Sequence, residues 1–132
     1  MAMNALLRNR WVDALRSGKY SQTRGMLFVP GEGSPSYCCL GVLCAIQPTE
    51  FEASIENEVA GFRFVRTQEK VVGSLYVDKD VPDSHHIVRE MGLTDDEHEL
   101  LMSYNDGNRT KWNPEGIHYS FDQIANYIEE YL

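Results

Sequence analysis

Tyr37-Cys38-Cys39-Leu40-Gly41-Val42-Leu43-Cys44-Ala45-Ile46 is the most apolar stretch of the chain, and Pro48 ends it. The run is long for a central strand. A short buried helix starting near Cys39 fits its length somewhat better, although periodicity leaves both readings open. Either way, the flanking sequence has to be arranged around this segment.

Just ahead of it, Met26-Leu27-Phe28-Val29 reads as a short strand, cut off by the turn-forming Pro30-Gly31-Glu32-Gly33-Ser34-Pro35. Further upstream a helix is predicted over residues 4–17. Leu7, Trp11, Ala14 and Leu15 share one face, with Arg8, Asp13 and Arg16 off it. Gly18 follows where a left-handed cap is wanted.

Downstream, the acidic stretch from Glu50 to Ala60 reads as a weak helix or a surface loop. Gly61 to Arg66 alternates, with Phe62 and Phe64 on one face. Val71 to Val77 follows after the polar link Thr67–Lys70, so a β-hairpin is expected. Pro82 suits the first turn of a helix over Asp83–Met91, which Gly92 stops. Thr94-Asp95-Asp96-Glu97 is a capping box, with Leu100, Leu101 and Tyr104 expected on the buried side. Asn105-Asp106-Gly107-Asn108 ends that helix. Ser120 to Gln123 is a second capping box, followed by the apolar stripe Phe121, Ile124, Ala125, Ile128 and Leu132. The pattern describes one α+β domain over residues 1–132, with terminal helices packed around a small antiparallel sheet.

Composition narrows the function classes. A chain with 42% hydrophobic and 24% charged residues is expected to be globular rather than disordered. No apolar run approaches the ~20 residues that cross a bilayer, so no membrane association is expected. Met1-Ala2-Met3-Asn4 does not open a signal peptide, which favours a cytoplasmic location. The net charge of -8 argues against a nucleic-acid duplex as partner but leaves room for a compact nucleotide held by a few donors. Cys38, Cys39 and Cys44 are an odd number crowded into one segment, a poor disulfide framework, so reduced thiols are expected.

Trp11, Ala14 to Tyr20, Gln22 and Gly25, leading into Cys38-Cys39-Leu40-Gly41-Val42-Leu43-Cys44, carry a resemblance, as do Leu101, Asn105-Asp106, Ser120-Phe121, Ile124-Ala125 and Ile128. The chain resembles a group of uncharacterised small proteins encoded by tailed bacteriophages and prophages. The likeness covers roughly the first third and last quarter, and residues 107–119 are longer than the link in that group. It implies an accessory protein of the infected bacterial cytoplasm and no particular catalytic residues.

Several residue sets bear on chemistry. Cys39-Leu40-Gly41-Val42-Leu43 resembles the nucleophile segment of cell-wall cysteine peptidases, but with Leu40 where their serine sits. A thiol hydrolase of this or papain-like type would pair Cys39 with a histidine, His118 in the first instance. The favoured alternative is that the cysteines are small buried hydrophobes. No second Cys or His cluster completes a zinc set, and the loop after Asp106 lacks the EF-hand pattern, so no metal and no cofactor is expected. His85 and His86 diverge on a helix and cannot chelate together. Asn105 and Asp106, with Arg109 and Trp112 in the loop beyond and Tyr37 elsewhere, offer a ligand shelf. In that reading an aromatic stacks a base, Arg109 or Lys111 meets phosphate, and the Asn-Asp pair reads a polar edge. Against it stands a plain helix stop with a solvated loop. The expectation is a non-enzymatic binding protein acting on a host protein or a small signalling molecule, with the hydrolase as alternative and the oligomeric state open.

Overall fold

The structure is a computed structural model that describes residues 3–77 and 83–132. The apolar run is a helix, α2 (Cys39–Ala45), with Cys39 to Cys44 all buried. A helix satisfies its backbone groups internally, which suits a segment sealed on every side. Cys38 caps it, its sulfur accepting from the Gly41 N–H at 3.4 Å. Gly41 is required by a close approach: a Cβ there would lie 1.8 Å from the Leu27 carbonyl oxygen. Trp11 reaches across and donates its indole N–H to the Cys39 carbonyl at 2.9 Å.

Trp11 belongs to α1 (Ala5–Arg16), capped by the Asn4 side chain, which accepts from the N–H groups of Leu6 and Leu7. Its buried residues Trp11, Val12 and Leu15 face α5 (Phe121–Tyr131), whose Phe121, Ile124, Ala125 and Ile128 are also buried. The predicted capping box of α5 is present, with Ser120 and Gln123 bonding each other's backbone N–H. Arg16 fastens the pair through Glu129 at 2.9 Å.

Two small sheets lie between these ends. In the first, β1 (Ser21–Gln22) pairs in parallel with β3 (Ser36–Tyr37), which pairs antiparallel with β2 (Phe28–Val29). In the second, β4 (Phe51–Glu56), β5 (Val59–Phe64) and β6 (Glu69–Val71) run antiparallel in that order. The fold is α+β with helices at both ends, although its sheet is divided and includes one parallel pair.

The strand β4 replaces the weak helix or loop expected for residues 50–60. Phe51 pairs with Phe64 and both are buried, while Glu52 and Glu56 face water. Asn57 and Glu58 both have positive φ, 51° and 65°, forming the two-residue mirror turn that matches strand twist. The hairpin expected between residues 61–66 and 71–77 is displaced: β5 pairs with Glu69–Val71, so the second strand falls mainly on the segment assigned to the link Thr67–Lys70, and residues 72–77 are not a strand. Beyond Val71 the chain leaves the sheet, Val72 accepts from the Leu27 N–H, and Leu75 and Val77 enter the core.

The helix expected over Asp83–Met91 is only α3 (His86–Glu90). Asp83 has a φ of +57°, which no helix accommodates. Pro82, assigned to its first turn, lies outside the described residues. The next helix, α4 (Asp95–Asp106), carries its Thr94–Glu97 capping box and ends at Gly107 in the left-handed conformation. Its innermost positions are His98, Leu101 and Asn105, whereas Leu100 and Tyr104 are half-buried.

Candidate functional site

Asn105, placed in a ligand shelf by sequence, instead ties the core together. It is fully buried, and its Oδ1 accepts from the Cys39 N–H at 3.1 Å and from Gln22 Nε2 at 3.0 Å. Its Nδ2 donates to the Thr23 carbonyl at 2.8 Å and to Asp106 Oδ1 at 3.0 Å. The same Asp106 oxygen accepts from the Gly25 N–H at 2.9 Å. Both polar side chains of the pair thus face the loop after β1 and the start of α2, where their bonding is engaged.

Tyr37 lies elsewhere, in an aromatic group of the first sheet. Its ring stacks on Phe28 at 5.6 Å and meets Tyr20 edge-on at 5.4 Å. Arg109 is exposed, its stem packed beside Gly116. The five shelf residues therefore do not converge.

Cys38, Cys39 and Cys44 are free thiols in the core, the last two with no solvent exposure. The Cys39 thiol points to the Leu101 carbonyl at 3.7 Å. Burial pushes the Cys38 thiol up to about 12, despite the N–H of Gly41 at its sulfur, and raises Cys39 and Cys44 well above the usual range. His118 is exposed and packs beside Gly107, with its pKa lowered by partial burial and the nearby Arg24 charge. Among the described residues no hydrogen bond joins a cysteine to a histidine, and no group of three His, Cys, Asp or Glu side chains is placed to hold a metal. His85 meets Asp95 at 2.9 Å and His86 meets Glu69 at 2.7 Å, so the adjacent histidines engage separate carboxyl groups.

An open cleft of about 310 Å³ lies between α4 and the loop that follows it. Glu99, Met102 and Ser103 of α4 form one wall, Asn108, Thr110, Lys111 and Trp112 the other, and Tyr76 closes one end. The loop is well anchored. Buried Asn113 donates to the carbonyls of Ser103 and Ile117 and accepts the Ile117 N–H, while Ser103 and Thr110 share a hydroxyl bond at 2.9 Å. Trp112 also borders a second depression of about 300 Å³, lined by Tyr104, Asn113, Pro114, Ile117 and Tyr119.

Three buried polar atoms near this cleft have no hydrogen-bond partner among the described residues: Tyr76 Oη, Trp112 Nε1 and His98 Nδ1. His98 Nε2 accepts the Leu75 N–H at 3.0 Å, which places the proton of the neutral ring on Nδ1. Tyr76 is sandwiched between the rings of His85 and His98, at 4.2 and 4.3 Å. Burial and then the charges of Glu99 and Asp95 push its phenol up to about 12, although Glu99 stands outside hydrogen-bond geometry. A buried polar atom without a partner calls for an explanation, and an aromatic-lined cleft beside it is the default place to look for a ligand. Of the residues singled out by sequence as binding a ligand, Lys111 and Trp112 line this cleft, whereas Tyr37, Asn105, Asp106 and Arg109 do not. Tyr76, Glu99 and Met102 carried no signal, because only the fold brings the crossing segment 72–77 against α4.

Fold and site define a small α+β protein with a sealed, thiol-bearing central helix and an aromatic cleft at its surface. The chain belongs to a family described as a domain of unknown function (DUF8296), whose model matches residues 3–132. No curated protein and no solved structure matches it. Among the described residues no helix is long and apolar enough to cross a membrane.

Proposed function

We propose that this is a non-enzymatic binding protein, a phage accessory factor that works in the cytoplasm of an infected bacterium on a host protein or a small signalling molecule. The phage setting rests on the resemblance in residues 11–44 and 101–128. The observation that carries the binding reading is the cleft beside α4, where the Tyr76 hydroxyl and the Trp112 indole N–H are buried without partners. A ligand polar group meeting them would recover hydrogen bonds that the protein alone leaves unmade. The thiols favour this reading over a hydrolase, because a nucleophilic cysteine needs an accessible thiolate and these are shut in the core.

Thermal-shift screening of the intact chain against cyclic and linear nucleotides and small amines tests the reading, together with pull-down from a bacterial lysate. A ligand that raises the melting temperature, or a stoichiometric host partner, is expected. Neither appearing removes the proposal.

A further inference from the structure

Resting on the binding reading above, we infer that the cleft beside α4 is a cation site: it receives an alkylammonium or guanidinium group, free or carried on a partner's side chain, against the Trp112 ring. The protein's own Lys111 shows the mode. Its Nζ sits 4.7 Å from the centre of the Trp112 ring, and both residues line the cleft. An aromatic face attracts a cation through its quadrupole, more strongly with indole than with other rings. Lys111 is exposed on a flexible stem, so it can yield the ring to an incoming cation.

The rest of the lining suits the same occupant. Tyr76 offers a buried, unpartnered phenol oxygen at one end, and the exposed Glu99 carboxylate stands on the wall between. The helix behind them carries Asp95, Asp96, Glu97, Glu99 and Asp106 and no lysine or arginine. The Tyr76 phenol is raised first by burial and then by the charges of Glu99 and Asp95, so the carboxylates are felt at this end of the cleft. A net charge of -8 adds a long-range preference for cations over anions. The volume of about 310 Å³ is at the small end for ligand sites, enough for one cationic head and a short stem.

The test follows the indole N–H resonances of the intact ¹⁵N-labelled protein. There are two tryptophans, and Trp11 is fully buried with its N–H bonded to Cys39, so it serves as an internal reference. Spermidine and N-acetyl-arginine amide are titrated in parallel with adenosine monophosphate. A cation should move the Trp112 resonance and leave Trp11 in place, and the tighter of the two cations identifies a free amine or a peptide side chain as the source. Glu99→Gln should weaken binding by about fivefold, and Lys111→Gln should tighten it by about threefold, because the tethered competitor is gone. Lys19→Gln, an exposed site in a different segment, makes the same change in net charge and should have a smaller effect. Equal effects of the two lysine substitutions would mean diffuse attraction and overturn the site. Binding of the nucleotide without either cation would overturn the inference and leave the binding reading standing. Silence from all three probes would overturn the inference alone, with the lysate experiment still deciding the broader reading.

Discussion

Asn105 Oδ1 accepts the backbone N–H of Cys39 at 3.1 Å, binding the last turn of α4 to the first turn of α2. Its side chain makes three further bonds, from Gln22 and to Thr23 and Asp106, all without solvent exposure of the residue. Alanine in its place strands a buried N–H on Cys39 and takes one of two acceptors from the half-buried Gln22 amide, which keeps the Tyr119 carbonyl at 2.8 Å. We expect Asn105→Ala to lower stability by about 3 kcal/mol in urea denaturation, since each unsatisfied buried group costs about 1–3 kcal/mol. A loss below about 1 kcal/mol would mean that the network is not holding the helices.

Gly41 meets Leu27 backbone to backbone, and that carbonyl already accepts the Cys38 N–H at 3.3 Å. A methyl group 1.8 Å from the oxygen forces α2 away from the strand that follows residue 27. Gly41→Ala should therefore cost about 3 kcal/mol or more, the upper range for overpacking. A cooperative melting transition within a few degrees of the parent would refute the close approach.

Residues 4–17, 94–97 and 120–123 show what one sequence reveals. Caps are contracts between a side chain and a backbone group three residues away, so Thr94 and Ser120 mark their helices locally, while the apolar face of Leu7, Trp11, Ala14 and Leu15 marks the first. The strand Phe51–Glu56 is the opposite case. Its acids suggest a weak helix or a surface loop, and its pairing with Val59–Phe64 depends on the positive-φ turn at Asn57 and Glu58, which the acidic pattern hides. Asn105 and Asp106 looked like surface polar residues because composition does not say which face of α4 meets α2. Trp112 was visible as an aromatic in a loop, but its cleft needs Tyr76, 36 residues earlier, which only the crossing of residues 72–77 brings near.

Cys38, Cys39 and Cys44 should be inert in the folded protein. Each is buried and each thiol is held above its ordinary pKa by desolvation, so thiolate is scarce and reagent has no path to it. Near neutral pH, iodoacetamide should label the native chain only at the rate of its global opening, and label all three sites quickly in guanidinium. Rapid single-site modification of native Cys39 would restore the thiol hydrolase reading.

His98 gives the protein a pH dependence of definite sign. Its ring is sealed beneath Tyr76, accepts the Leu75 N–H, and is lowered from 6.5 to about 4, chiefly by desolvation. The nearby Asp95 charge opposes that shift and His85 adds to it. Between pH 4 and 6.5 the unfolded chain therefore binds more protons at this site than the folded one. Stability must rise with pH across that window, be fully present above it, and be lost as pH falls, by about 3 kcal/mol in all. Exposed His118 shifts in the same direction, whereas the carboxyl groups of Glu56, Glu69 and Glu129 are lowered from 4.5 and that of Asp83 from 3.8, so they act mainly beneath the window. Glutamine at position 98 preserves an acceptor for the Leu75 N–H but does not titrate. Urea midpoints at pH 4.5 and 7 should differ strongly for the parent and much less for His98→Gln; equal pH dependence in the two would show that His98 is not the group responsible.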